Sequence, residues 1–166
     1  LHPTDHKILD AFIARRPHTQ VSLSDGFAAP ARELPPPSRR GVVLIDPSYE
    51  IKTDYARVVG AVRECLQRFA SGVVLVWYPQ VPLGEAAQLP KRLIAAAQAA
   101  PKGWLHVTLS VLPPAADGFG MTGSGVFVVN PPWPLHEQLA QMLPVLVQHL
   151  GQFDAARYVL EHTAGT

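Results

Sequence analysis

The chain contains a single cysteine and two methionines, and it has no long apolar run. With Cys65 alone no internal disulfide can form, and its place in a helical pattern indicates a buried apolar side chain. No apolar segment approaches the roughly 18 residues of a membrane span, and no signal peptide is recognisable at the start. We therefore expect no membrane partner and a reducing, cytoplasmic location.

Several common catalytic motifs are also absent. There is no P-loop and no G-x-S-x-G nucleophile elbow. His2 and His6 could share a helical face, but no third ligand is spaced to join them, so no metal site is expected. Residues 118–123 match G-x-G-x-x-G, but a Pro-Pro-Ala-Ala loop precedes them and a strand follows. A glycine-rich hairpin loop is therefore the better interpretation.

Proline, by contrast, is abundant. The 166 residues include 17 prolines, and they cluster between periodic segments, where they indicate loops. The chain length suits one domain, residues 1–166, with a sizeable core. The net charge of +1 neither demands nor excludes a nucleic-acid partner.

Apolar periodicity predicts alternating helices and strands. Helices are predicted from Thr4 to Pro17 and at 53–69, 85–99 and 135–150, with a broken helix within 28–40; strands are predicted at 19–24, 42–45, 73–78, 104–112 and 126–130, and 153–162 could add an edge strand. The alternation indicates an α/β fold with a mostly parallel sheet and one antiparallel edge strand. Because the chain opens on a helix, we expect that the first β-α unit of such a sheet, usually the carrier of the Gly-rich cofactor turn, is missing.

The most informative stretch is residues 42–50. Its four apolar residues predict a central strand buried on both faces, which ends at Asp46 and turns at Pro47, with Tyr49 following. Ligands of α/β sheets bind beyond the carboxyl ends of strands. A carboxylate and a backbone carbonyl in a rigid proline turn could accept both hydrogens of an exocyclic adenine amine, and an aromatic ring could stack on a base taken out of its helix. The motif alone leaves this function and a simple structural turn equally open.

A second stretch, Asn130-Pro131-Pro132-Trp133, has the same [Asp/Asn]-Pro-x-aromatic pattern. It follows the break in the alternation, and its prolines precede the last helix. We interpret it as structural.

Residues 38–55, which read SRRGVVLIDPSYEIKTDY, closely resemble the bacterial 23S ribosomal RNA adenine-N6 methyltransferases of the RlmJ type. The likeness continues through residues 1–5, 24–27, 68–72, 77–79, 120–125 and 130–133. It covers almost the whole chain in order.

The resemblance implies a Rossmann-like methyltransferase domain that uses S-adenosyl-L-methionine to methylate N6 of one adenine in 23S rRNA, before ribosome assembly and as a monomer. It implies that Asp46 is the acid of the catalytic D-P-P-Y motif, that Pro47 shapes its turn and that Asp46 also borders the cofactor. Tyr49 would stack on the adenine, and Asp25 and Gly26 would contact the cofactor. Independently of the resemblance, four basic residues lie near the motif in sequence and could contact phosphates of the substrate: Arg39, Arg40, Lys52 and Arg57. A solvated basic face is an equally open interpretation for each of them.

Two departures from the family pattern stand out. Ser48 replaces the second proline of D-P-P-Y, which makes the turn less rigid. The family's N-terminal part, with its Gly-rich cofactor loop, is not matched. Two alternatives therefore stay open beside the RNA methyltransferase: a DNA adenine-N6 methyltransferase with the same motif, and a truncated, non-catalytic fragment.

Overall fold

The computed structural model describes residues 3–114 and 120–163. Its five helices and five strands confirm most of the predicted elements, with bounds that differ by a few residues. The helices are α1 (Pro3–Ile13), α2 (Ala29–Glu33), α3 (Thr53–Arg68), α4 (Gly84–Ala96) and α5 (Leu135–Leu150), and a 3-10 turn (Gly26–Ala28) precedes α2. The strands are β1 (Val42–Ile45), β2 (Val73–Gln80), β3 (Trp104–Ser110), β4 (Gly123–Val129) and β5 (Arg157–Thr163).

The five strands form one sheet in the order β1-β2-β4-β3-β5. Only the pairing of β1 with β2 is parallel, and the other three pairings are antiparallel. The α/β class is confirmed, but the prediction of a mostly parallel sheet with a single antiparallel edge strand was wrong. The short β3–β4 connection does reverse the chain, yet β4 inserts between β2 and β3 instead of lying at the margin. The carboxyl ends of β1, β2 and β3 still meet at one edge of the sheet.

The position of β1 also differs from the prediction. It is an edge strand of the described sheet, and Val42 and Leu44 on one of its faces are 67% and 65% exposed. Ile45 on the other face is buried. The expectation of a central strand buried on both faces was wrong because an unbroken apolar run does not reveal how many elements cover it.

The predicted strand at residues 19–24 is not formed, and these residues have no regular structure. Their polar and apolar residues do alternate, but Leu23 is 53% exposed and the segment pairs with no strand in the described part of the chain. A strand needs a partner for its backbone groups, so the alternation alone was insufficient.

Two hydrophobic clusters lie on opposite faces of the sheet. Helices α3 and α4 cover one face, where Val58, Val62 and Leu89 are completely buried. Helix α5 covers β3, β4 and β5 on the other face through Leu143. Cys65 belongs to the first cluster, and burial raises its pKa to about 11, which agrees with its interpretation as an apolar core residue.

Asn130 joins three loops at the edge of the sheet remote from Asp46. Its side-chain oxygen accepts from the N–H of Lys102 at 3.0 Å, and its amide donates to the carbonyls of Ala70 and Gly72, each at 2.8 Å. The side chain is buried and its backbone is left-handed, with φ of 53°. These contacts support the structural interpretation of the second motif.

Part of the predicted glycine-rich loop, residues 115–119, lies outside the described residues. Gly123, the last residue of the G-x-G-x-x-G match, is the first residue of β4, and no helix follows it directly. Within the described ranges, no helix is long and apolar enough to cross a membrane.

We predict that Asn130→Gly lowers the free energy of unfolding by about 2–4 kcal/mol, because one buried and two partly buried backbone hydrogen bonds lose their partner. Glycine tolerates the left-handed backbone, so the change tests the hydrogen bonds and not the φ angle. Urea denaturation would measure the loss. The control is Trp133→Ala, at a side chain that is 90% exposed, with an expected change within about 0.5 kcal/mol. Equal midpoints for the two variants would contradict this account of Asn130.

Candidate active site

A cleft of about 1110 Å³ lies at the carboxyl end of β1. It is bordered by the Asp46 turn on one side and by the segment around Asp25 on the other. The structure therefore brings together Asp25, Gly26, Asp46 and Pro47, the four residues that the sequence assigned to the cofactor and the reacting amine. A Cβ atom added to Gly26 would meet nothing within 4 Å, so the cleft is open at this point.

The lining of this cleft is strongly acidic. Among the described residues, six acidic residues and a single arginine line it: Asp5, Asp25, Glu33, Asp46, Glu50 and Asp54, with Arg57. Such a surface attracts a cationic ligand and repels phosphate groups. We call this space the acidic cleft.

Asp25 is held in place by the protein itself. Its side chain accepts a hydrogen bond from the N–H of Phe27 at 3.0 Å and so caps the short 3-10 turn. Arg57 of α3 forms an ion pair with the other carboxylate oxygen of Asp25, lies 3.8 Å from Asp54 and stacks over the Phe27 ring at 4.1 Å. Arg57 therefore fastens the Asp25 segment to α3, and this explains how an irregular segment borders the cleft in a defined position.

Asp46, in contrast, is exposed and makes no side-chain hydrogen bond or ion pair within the described residues. It follows directly on Ile45, which pairs with Val76 of β2. The strand pairing thus positions the backbone of Asp46, while its carboxylate stays available to a ligand. Pro47 lines the cleft beside it.

Tyr49 lies in the core in this structure, and only 6% of it is exposed. Its hydroxyl donates to the carbonyl of Trp77 at 2.7 Å, and its ring centroid is 4.8 Å from that of Tyr55. Its backbone is left-handed, with φ of 56°, an unusual conformation for an aromatic residue. Here the side chain anchors the Asp46 turn to β2, and a base cannot stack on its ring unless the ring leaves this position.

Lys52, predicted to bind substrate, does not line the acidic cleft. Its side chain is 69% exposed and lies 3.7 Å from Glu85 at the start of α4. A surface pair of this kind contributes little to stability. Its role in substrate binding stays a prediction.

Sequence reasoning missed the acidic character of the cleft. Glu50 and Asp54 flank the motif and could have been noticed by proximity alone. Arg57 was interpreted as a phosphate contact or as part of a solvated basic face, whereas the structure shows that it pairs with two carboxylates. Glu33 could not be foreseen, because the fold of residues 26–40 decides that it lines the same cleft as Asp46.

Comparison with known proteins agrees with this geometry. Residues 1–161 match the sequence model of the family described as ribosomal RNA large subunit methyltransferase D, RlmJ. The chain belongs to this family. It is 43% identical over 147 residues to ribosomal RNA large subunit methyltransferase J of Escherichia coli K12, and 41% identical over 150 residues to the protein of that name from Haemophilus influenzae Rd.

These two alignments cover 88% and 90% of this chain but 51% and 52% of the relatives. The RlmJ-family chain therefore spans about half the length of the curated relatives it matches. A crystal structure of a Legionella pneumophila str. Philadelphia 1 protein matches all of the chain and 59% of its own length, with a TM-score of 0.81 and 28% identity. The family and this similarity confirm the predicted Rossmann-like methyltransferase class of the fold.

No group of three or more potential metal ligands occurs among residues 3–114 and 120–163.

The burial of Tyr49 yields a prediction about alkaline pH. Desolvation, and then the nearby Tyr55 and Asp46, raise its pKa well above the ordinary value of 10.0. Above about pH 10 the unfolded chain releases the Tyr49 proton while the folded chain keeps it, so stability falls as the pH rises.

Urea unfolding at about pH 8 and about pH 11 would measure this loss. It should be smaller in Tyr49→Phe, which cannot ionise at this position, than in the wild type. Tyr158→Phe, at a side chain that is 37% exposed, is the matched control and should behave like the wild type. An unchanged pH dependence in Tyr49→Phe would show that folding does not raise the pKa of Tyr49 and would contradict this account.

Proposed function

We propose that this protein transfers a methyl group from S-adenosyl-L-methionine to N6 of an adenine in 23S ribosomal RNA, in the cytoplasm. The observation that carries the proposal is the available carboxylate of Asp46 in the acidic cleft of an RlmJ-family fold. Action on protein-free RNA and as a monomer belongs to the same proposal.

The residues of the acidic cleft fit the methyl donor. S-adenosyl-L-methionine carries a sulfonium and an ammonium group against one carboxylate, and the six acidic side chains favour such a cation. Asp25 and Gly26 would border it on one side and Asp46 on the other. When bound, the donor supplies an electrophilic methyl group. Both oxygens of Asp25 already have partners in the protein. Asp25 would therefore contribute negative charge and shape to the donor site, and not a free hydrogen-bond acceptor.

The task of Asp46 is to make a poor nucleophile reactive. The lone pair of the adenine amine is delocalised into the ring. A carboxylate that accepts one amine hydrogen, with a backbone carbonyl of the Pro47 turn accepting the other, would concentrate that lone pair on nitrogen. The turn is fixed beforehand by the pairing of β1 with β2 and by the Tyr49 hydroxyl. Catalysis would then come from positioning and electrostatics.

The role of Tyr49 as a stacking platform for the adenine is part of this proposal. It requires the ring to give up the hydrogen bond to Trp77 and the contact with Tyr55. Stacking of the Tyr49 ring on a flipped base contributes about 1–3 kcal/mol, which is comparable to the free energy lost when one such hydrogen bond is broken. Ser48, in the place of the second proline, leaves the turn freer to make this change.

We predict that Asp46→Ala lowers methyl transfer at least about 100-fold while the fold is retained. Transfer of a tritiated methyl group to protein-free 23S rRNA measures the activity, and circular dichroism checks the fold. The matched control is Asp154→Ala, an exposed acid in the turn before β5. Wild-type turnover in Asp46→Ala would overturn the assignment of this residue.

The substrate and the cofactor require separate measurements. Transfer to 23S rRNA is expected to exceed transfer to duplex DNA, and the reverse preference would support a DNA adenine methyltransferase instead. Calorimetric titration of the 166-residue chain with S-adenosyl-L-methionine tests the cleft directly. Binding that is weakened in Asp46→Ala is expected, whereas no heat of binding would show that this chain does not form a complete donor site.

A further inference from the structure

A second cavity, of about 480 Å³, opens between α4 and the carboxyl ends of β2 and β3. In the part of the chain that the structure describes, it shares no lining residue with the acidic cleft. Its size lies within the range of small-molecule sites. We call it the β2–β3 cavity, and its origin lies in two glycines of β4.

Gly123 and Gly125 lie opposite Gln80 and Tyr78 of β2 on one side, and opposite Ser110 and Thr108 of β3 on the other. A Cβ atom on Gly125 would come within 2.1 Å of the Tyr78 ring, and one on Gly123 within 2.4 Å of the Gln80 side chain. The two glycines therefore leave a trough across β4. Side chains from the flanking strands fill it and meet above it.

Two hydrogen bonds bridge this trough. The Tyr78 hydroxyl lies 2.7 Å from Nε2 of His106, and the Ser110 hydroxyl donates to Gln80 at 2.8 Å. Glu161 of β5 lies 3.3 Å from the other ring nitrogen of His106. Tyr78 and His106 are almost completely buried, so these bonds build a rigid polar floor.

The walls of the β2–β3 cavity differ in character. Helix α4 and the segment before it supply an apolar wall, with Val81, Ala86, Ala87 and Pro90. Strand β3 supplies the hydroxyl groups of Thr108 and Ser110, and the residue before β4 supplies that of Thr122. A flat ring with polar edges fits between an apolar wall and a row of hydrogen-bonding groups.

Arg157 gives this cavity a charge opposite to that of the acidic cleft. Among the described residues that line the cavity, it is the only Lys, Arg, Asp or Glu. It lies opposite Ser110 in the β3–β5 register and forms no ion pair within the described part of the chain. A guanidinium beside hydroxyl groups is a typical site for a phosphate.

We propose that the β2–β3 cavity binds one nucleotide of the RNA strand, with its base against α4 and its phosphate at Arg157, apart from the adenine presented to Asp46. The two spaces lie along the same edge of the sheet. Asp46 follows β1, which pairs with β2. In β2, Trp77 accepts the hydrogen bond from Tyr49, and the next residue, Tyr78, belongs to the cavity floor. The inference rests on the proposed function in that it takes RNA to be the substrate.

Binding of a labelled single-stranded oligoribonucleotide to the 166-residue chain, without the methyl donor, tests the proposal. Arg157→Gln should weaken binding about five-fold at roughly 50 mM salt and lower the slope of log K against log salt by about 0.7. The charge-matched control is Arg63→Gln, an exposed arginine that lines neither cavity, with less than about a two-fold expected effect.

Ala87→Trp, which fills the cavity from the exposed side of α4, should also weaken binding about five-fold or more. Gln88→Trp adds the same side chain at the neighbouring exposed position outside the cavity and should have no such effect. Urea denaturation of each variant checks that it is folded. Wild-type affinity in both Arg157→Gln and Ala87→Trp would overturn the proposal.

Competition distinguishes a nucleotide from a bare anion. Adenosine 5′-monophosphate should displace the oligoribonucleotide and shift the amide resonances of Thr108 and Thr122, and inorganic phosphate at equal concentration should do so less. Equal competition by phosphate would overturn the nucleotide assignment. Oligoribonucleotide binding is measured without methyl transfer. Weaker binding by Arg157→Gln would therefore support the β2–β3 cavity as a nucleotide site even if the protein transferred no methyl group, and the two proposals can fail separately.

Discussion

The parallel pairing of β1 with β2 is the interaction on which the acidic cleft depends. It matches Ile45 with Val76, so that Asp46 leaves the sheet beside β2. The hydrogen bond from Tyr49 to Trp77 continues this attachment past the last paired residue. The Asp46 turn is thus held on both sides, by the strand pairing before it and by Tyr49 after it. Its backbone is fixed although the Asp46 carboxylate itself makes no hydrogen bond or ion pair within the described residues, so the carboxylate stays available to a ligand.

The proposed reaction needs one site for a cationic methyl donor and another for the anionic RNA backbone, and the two cavities have opposite charge. The acidic cleft suits a cationic methyl donor and disfavours phosphates, whereas Arg157 makes the β2–β3 cavity favourable to an anion. With both at one edge of the sheet, an RNA strand could be held by one space while its adenine reaches the boundary of the other. The net charge of +1 does not reveal this difference, because it reports the sum of the charges and not their positions in the structure.

The arrangement also shows how glycine contributes to a site without touching a ligand. Gly123 was predicted to end a glycine-rich loop, and Gly125 was assigned to no element. Their value lies in the space they leave for Tyr78 and Gln80 to reach β3. Arg57 contributes to the acidic cleft in a comparable way, since it holds the Asp25 segment against α3.

The sequence was sufficient for most helices and strands, because periodicity and proline positions report local structure directly. It also indicated Asp46 and Pro47 as candidate site residues, since an acid and a proline after an apolar strand form a local pattern, and the family resemblance added Asp25 and Gly26. All four line the acidic cleft, and their roles stay predictions. The tertiary structure decided the rest: the edge position of β1, the place of β4 inside the sheet, the missing strand at 19–24 and the burial of Tyr49. Each of these depends on which distant segments meet. An apolar run such as residues 42–45 has the same local pattern whether its two faces are both covered or one of them is open, so only packing could distinguish the two.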